Sequence, residues 1–177
     1  NPSRIALLNK LMEMGGNIQV FNHSSFGKEP VADLNIKSSV LNPCEVTSGD
    51  VPNLIDELPI LFIASCFAEG ISSFIEIEEL KHKESDRLKA MQDGLDKMKI
   101  KNYLDGNVFC IEGMGKDYKS PNFLAETYYD HRIAMSFAIA GLNSNSYIEI
   151  ASPECINTSF PEFIELGIKL GCNFEIS

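Results

Sequence analysis

No apolar run in this chain is long enough to cross a bilayer. The longest nearly unbroken one, Ile60 to Ala68 with Ser65 inside it, falls far below the roughly 20 residues a spanning helix needs. There is no Cys-x-x-Cys spacing either. The five cysteines, Cys44, Cys66, Cys110, Cys155 and Cys172, are odd in number and scattered, which argues against a metal or redox pair and predicts free thiols in a reducing, cytoplasmic setting. Positive charge is scarce: 15 basic against 25 acidic residues give a net charge of −10. A nucleic-acid backbone or an anionic membrane is therefore not expected as the main partner, although local basic pockets remain open. The first residues, Asn1-Pro2-Ser3-Arg4, lack both an initiator Met and a basic segment followed by an apolar one. They read as neither a signal nor a transit peptide, and the expectation is a cut end.

What is present is enough for one folded domain, since 44% of the 177 residues are hydrophobic. Ile5, Leu8 and Met12 recur at helical spacing and Gly15-Gly16 supplies a stop. Ile18 and Val20, then Leu34 and Ile36, alternate with polar neighbours, which predicts two short strands flanking a loop from His23 to Pro30. Leu54 to Glu69 predicts a second helix, closed by Gly70 and apolar on nearly all sides, so it must be buried. Phe74 to Ile77 reads as a strand. Leu88, Met91, Leu95 and Met98 predict a third helix starting near Ser85, a plausible cap, and Asp105-Gly106 a turn between two strands.

The chain also repeats itself. Ser73-Phe74-Ile75-Glu76-Ile77 returns as Ser146-Tyr147-Ile148-Glu149-Ile150, each preceded by an apolar helix that begins near an aspartate, Asp56 or Asp130. Second helices follow, Ser85 to Met98 and Phe160 to Leu170, and Leu170-Gly171-Cys172-Asn173-Phe174 echoes Met14-Gly15-Gly16-Asn17-Ile18. Units of strand, helix, strand, helix and two further strands (βαβαββ), with a period of about 75 residues, imply an α/β or α+β domain with some parallel strand pairs. The N-terminal segment reads as the second half of one more copy.

Only three arginines exist, Arg4, Arg87 and Arg132, and each falls in or just before the first turn of a predicted helix. The helix dipole disfavours a cation there by about 0.3–1 kcal/mol, so something negative should compensate. A helix N-terminus plus a guanidinium receives phosphate or carboxylate well. For Arg87 and Arg132 the anion reading is preferred to a salt bridge with a neighbour such as Asp86 or Asp130; for Arg4 a plain surface role is preferred. Lys81-His82-Lys83-Glu84-Ser85-Asp86-Arg87 sets cations and a carboxylate at a strand–helix junction, and Asp130-His131-Arg132 opens the other buried helix. Asp56 has helix capping as its plain role, but with Glu84 it would supply two carboxylates beside a bound anion, a pair suited to proton transfer. His82 and His131 lie in separate segments without metal-ligand spacing, so no metal site is expected.

Lys83-Glu84-Ser85-Asp86-Arg87-Leu88 and Asp130-His131-Arg132-Ile133-Ala134-Met135 resemble, in order, two signatures of the enolpyruvylshikimate-phosphate synthase family. The likeness runs from Asn1-Pro2-Ser3-Arg4 through Ile55-Asp56-Glu57-Leu58-Pro59 to Thr158-Ser159-Phe160-Pro161. It implies one lobe, the C-terminal one, of a two-lobed inside-out α/β barrel built from βαβαββ units. A truncated repeat would occupy residues 1–50 and complete ones 51–115 and 116–177, with the N-terminal lobe absent. It further implies transfer of an enolpyruvyl group from phosphoenolpyruvate to shikimate 3-phosphate with no metal or organic cofactor. By the same resemblance Asp56 holds the shikimate hydroxyls and accepts a proton, and Glu84 protonates the methylene carbon of phosphoenolpyruvate. Lys83 contacts the substrates, Arg87 and Arg132 hold the phosphate and carboxylate of phosphoenolpyruvate, and His131 lines the pocket.

The sequence departs from the family at His82, usually aliphatic, at Lys81, often arginine, and at Thr158, where some members carry a lysine. Thr158 implies kinship with members tolerant of glyphosate. Two rival readings are a transferase acting on a nucleotide sugar with the same donor, which lacks the two signatures, and a noncatalytic αβ binding or assembly module.

Overall fold

The computed structural model describes residues 4–144 and 147–175; Asn1, Pro2, Ser3 and the repeat-motif residue Ser146 lie outside the described residues. The elements in chain order are α1 (Ala6–Glu13), β1 (Asn17–Phe26), β2 (Glu29–Lys37), β3 (Glu45–Val46), α2 (Val51–Leu54), α3 (Leu58–Cys66) and β4 (Glu69–Ile75). They continue as α4 (Arg87–Lys97), β5 (Asn102–Asp105), β6 (Val108–Met114), β7 (Phe123–Ala125), α5 (His131–Ser144), β8 (Ile148–Ile150) and α6 (Phe163–Lys169). Short 3-10 turns at Glu78–His82 and Pro153–Thr158 precede α4 and α6.

The repeat seen in the sequence is a repeat of architecture. β3 pairs with β4 in parallel and α3 lies between them in the chain; β7 pairs with β8 in parallel and α5 lies between them. A parallel pair needs a crossover connection, and a helix is the usual one. Each second strand leads into a residue at positive φ, Glu76 (58°) and Ser152 (48°), and then into a 3-10 turn and a helix. Helices α1, α4 and α6 end alike, on Met14, Met98 and Leu170, each followed by a left-handed residue: Gly15, Lys99 or Gly171. That conformation is natural for glycine and strained for lysine, which holds it at φ 62°.

The core lies between α3, α5 and the four-stranded sheet β3-β4-β6-β5. Phe62 of α3 meets Phe74 and Phe109 edge-on, at centroid separations of 4.6 and 5.1 Å. α4 crosses α5 closely: a Cβ on Gly94 would come 1.9 Å from Phe137 Cζ, so only glycine fits while that ring stays in place. Gly113 likewise lets β6 approach the carbonyls of Ser65 and Ala68 at the end of α3.

Four expectations need correction. The loop from His23 to Pro30 is instead strand on both sides of a turn at Gly27 and Lys28, with a register shift between Phe21 and Ser24. Both faces of this hairpin are largely exposed, so no apolar alternation marks its outer half. The helix foreseen over Leu54 to Glu69 breaks into α2 and α3 and ends at Cys66. Gly70 does not stop it; the residue lies in β4 at φ 128°, where a Cβ would come 3.1 Å from Pro43 Cγ. The cap of α4 is Asp86, which accepts the backbone N–H of Lys89 at 3.0 Å, and Ser85 is freed for another partner. The strand foreseen at Phe74 to Ile77 is the end of β4, which stops at Ile75.

Candidate active site

Three helices, α3, α4 and α5, bring their N-termini together, and the cations and carboxylates singled out in the sequence sit there. Arg87 opens α4 and is 1% exposed, so its charge must be met by protein. Its Nε donates to Asp130 Oδ2 at 2.8 Å, its Nη1 to Asp56 Oδ1 at 3.1 Å, and its Nη2 to Glu84. Asp130, 0% exposed, stands just before α5. Its Oδ2 also accepts from Ser85 Oγ at 3.0 Å, and its Oδ1 accepts the backbone N–H of Arg132 at 2.9 Å.

Asp56 does not cap α3. It lies between three cations: Arg87, then Lys83 with Nζ 4.0 Å from Oδ1, and Arg132 with Nη2 3.7 Å from Oδ2. Arg132 also donates from Nη1 to the Asp56 carbonyl at 2.8 Å and approaches Glu57 Oε1 at 3.8 Å. Lys83 is shared with Glu79 at 2.7 Å. Asp56 and Glu84 keep 37% and 55% of their side-chain surface open, whereas Asp130 keeps none. Half-buried His131 is the first residue of α5, next to Arg132. A hollow beside the cluster is lined by Arg4, Asn53, Asp56 and Glu57, among others.

The six residues singled out, Asp56, Lys83, Glu84, Arg87, His131 and Arg132, are thus on adjoining helix starts, and all but His131 are tied together by direct contacts. In this structure Arg87 is held by carboxylates, the salt-bridge arrangement that the sequence reading ranked below an anion. The cause is its burial, which demands constant neutralisation. The partner is neither Asp86, its neighbour, nor any other single acid. Asp130 pairs with Arg87 and meets Arg132 only by accepting its backbone N–H. Sequence reasoning left Asp130 and Ser85 out of the candidate site residues, weighing Asp130 only as a helix start or a salt-bridge neighbour and Ser85 as a cap; the repeat equivalence of Asp130 with Asp56 was the available signal. Thr158 is turned to its own backbone, its hydroxyl donating to Cys155 O at 2.7 Å. His82 is exposed on the 3-10 turn. Among the described residues no group of His, Cys, Asp and Glu could hold a metal ion, and no helix is long and apolar enough to cross a membrane.

The sequence pattern of the EPSP synthase (3-phosphoshikimate 1-carboxyvinyltransferase) family matches residues 1–166. The chain belongs to this family. It is 42% identical over 170 residues to the 3-phosphoshikimate 1-carboxyvinyltransferase of Petrotoga mobilis, covering 96% of this chain and 39% of that protein. The EPSP synthase of Acinetobacter baumannii superposes with a TM-score of 0.93 at 40% identity, over 100% of this chain and 41% of that one. The enolpyruvyl transferase NikO from Streptomyces tendae shares the fold, with a TM-score of 0.67 at 19% identity over 96% of this chain and 36% of its own. This chain therefore spans about 40% of the length of the EPSP synthases it matches. Its α/β architecture is that of the enolpyruvyl transferases.

Proposed function

We propose that the protein carrying these residues transfers the enolpyruvyl group of phosphoenolpyruvate to the 5-hydroxyl of shikimate 3-phosphate, releasing phosphate, on the route to chorismate. The cluster is this lobe's share of the active site. The chain is the C-terminal lobe, with repeats dividing near residues 50 and 115, and the other lobe supplies the remaining substrate contacts. The setting is cytoplasmic, consistent with five free cysteines. What carries the reading is the convergence of Asp56, Glu84, Arg87 and Arg132 from separate helix starts in a chain of the EPSP synthase family.

Arg132 is the cation most open to a ligand, because its nearest carboxylates stand at 3.7 and 3.8 Å rather than in tight pairs. Arg87 receives an anion by exchange: Glu84 is its most exposed partner and gives way to the carboxylate of phosphoenolpyruvate. Lys83 and His131 complete the pocket. Asp56 takes the proton of the attacking hydroxyl, whose oxygen bonds to the enol carbon, while Glu84 delivers a proton to the methylene carbon and makes it a methyl group. The resulting tetrahedral intermediate collapses as the carbon–oxygen bond to phosphate breaks and the methyl group returns a proton, restoring the double bond in the product. Positioned acid and base groups contribute about 10²–10⁴-fold each to such steps.

The test is phosphate release from the two substrates by the full-length protein. Glu84→Ala should lower kcat by about 100-fold or more. Arg132→Ala should raise KM for phosphoenolpyruvate by about tenfold, the value of one charge-assisted contact of roughly 1.4 kcal/mol. Unchanged kinetics in both variants would overturn the assignment. A nucleotide sugar used in place of shikimate 3-phosphate would instead favour the rival transferase reading.

A further inference from the structure

The geometry points to Asp130 as a positioning residue for this reaction: it fixes the Arg87 guanidinium through Nε, so that the two Nη groups face the cleft and can exchange carboxylates without the arginine moving. The inference rests on the active-site reading above.

Asp130 is fully buried and therefore cannot touch a substrate in the cleft. Its oxygens are fully engaged within the protein: Oδ2 by Ser85 Oγ and Arg87 Nε, Oδ1 by the backbone N–H of Arg132. The other two carboxylates on Arg87, Asp56 and Glu84, are open to solvent. The three legs of the guanidinium thus differ in kind, one anchored in the interior and two at the rim. An anchored Nε keeps the planar fork oriented while a rim partner is replaced by a ligand carboxylate. Without the anchor, the rim acids would draw the guanidinium outward and the fork would lose its aim.

The backbone that delivers Asp130 is built for one geometry. Tyr128 and Tyr129 both hold left-handed φ angles, 52° and 59°, which is costly for tyrosine and persists only where surroundings enforce it. Enforcement is present on both sides. Thr127 Oγ1 donates to Ala151 O at 2.9 Å and accepts the N–H of Tyr129 at 3.3 Å, and the Tyr128 hydroxyl donates to Asp93 on α4 at 3.1 Å. The segment is therefore tied to β8's exit and to α4, the helix that carries Arg87. Asp56, at the equivalent place in the preceding repeat, is left in the cleft. One position in the repeat thus serves as a rim carboxylate in one copy and as the interior anchor in the other.

A purely structural role, capping α5, is the competing account, and the two separate in a double-mutant cycle on the full-length protein with phosphoenolpyruvate and shikimate 3-phosphate. Asp130→Asn alone should raise KM for phosphoenolpyruvate by about tenfold and that for shikimate 3-phosphate by less than about threefold. On the Arg87→Lys background the same substitution should add less than about twofold, because its effect runs through the arginine. Ser85→Ala, which removes only one donor to Oδ2, should shift the same KM by about two- to fivefold and decides the matter if Asp130→Asn fails to fold. Full multiplication of the Asp130 and Arg87 effects, equal changes in both KM values, or an unmoved KM in Ser85→Ala would overturn the inference. If Arg87→Lys and Arg132→Lys leave KM for phosphoenolpyruvate unchanged, the active-site reading falls and the anchor role falls with it.

Discussion

Arg87 has three carboxylates and one charge, and two of those carboxylates look outward. Such a surplus of acid around a buried cation is poor design for stability alone, since rim pairs add little and the interior pair must offset its own desolvation. It suits a site where a substrate anion competes for the same guanidinium. Removing the arginine leaves Asp130 buried without a cation, so Arg87→Ala should cost about 3–5 kcal/mol in denaturant unfolding, whereas Arg132→Ala, at a half-exposed position, should cost under about 1 kcal/mol. Equal losses would show that Arg87 is not the buried hub. Thr158 supports a second expectation at this scale. Its short hydroxyl is tied to Cys155 O and provides no cation, so glyphosate should inhibit the full-length protein weakly; micromolar inhibition competitive with phosphoenolpyruvate would refute this. The two six-residue signatures singled out Lys83, Glu84, Arg87, His131 and Arg132 before any coordinates, and the repeat equivalence with Asp130 singled out Asp56. What they hid was the pairing. A buried ion pair between Arg87 and Asp130 spans 43 positions, and nothing in local spacing announces a contact across that separation.

The elements place these residues through a tight helix crossing. α4 reaches α5 only because Gly94 has no side chain where Phe137 stands, and Phe137 packs edge-on against Phe123 of β7 at 6.0 Å. Gly94→Ala should therefore destabilise the fold by about 1–3 kcal/mol through overpacking, seen as a lowered unfolding midpoint, and Phe137→Leu in the same chain should recover part of it. A neutral Gly94→Ala would mean that α4 and α5 are free to separate, and the shared helix-start site would lose its frame. Helices α1, α3, α4 and α5 were readable from periodicity and the Asp56 and Asp130 starts, and the repeated motif marked β4 and β8 and implied some parallel pairing, but not their partners β3 and β7. The split of α2 from α3 was not, because Leu54 to Cys66 is apolar enough to be buried in either form. The length of the β1–β2 hairpin was also hidden, since its outer half carries Asn22, Ser24 and Ser25 with no buried face to impose alternation.

That hairpin bears on the whole molecule. It is an antiparallel pair, Ile18 opposite Ile36 and Val20 opposite Leu34, as is the shorter β5–β6, where Asn102 lies opposite Ile111 and Leu104 opposite Phe109. Phe109 and Ile111 are completely buried beneath α3 and its neighbours, while Leu34 and Ile36 are exposed. The same supersecondary unit is thus clothed in one copy and bare in the other. This chain spans about 40% of the matching EPSP synthases, and under the proposed function its site is one share of a larger one. Near-attack geometry needs both substrates held at once, and half the holding groups fix neither. The 177 residues alone should therefore release no phosphate from phosphoenolpyruvate and shikimate 3-phosphate, and measurable turnover by them would contradict the divided site.

The most direct test of the central claim is a crystal structure of the full-length protein with shikimate 3-phosphate and an unreactive phosphoenolpyruvate analogue. The account predicts the analogue's carboxylate within hydrogen-bond distance of both Arg132 and the Nη groups of Arg87, Glu84 released from Arg87 and turned toward the methylene carbon, and Arg87 Nε still on Asp130. An analogue bound elsewhere, with Glu84 still on Arg87 and Arg132 still on the Asp56 carbonyl, would contradict it.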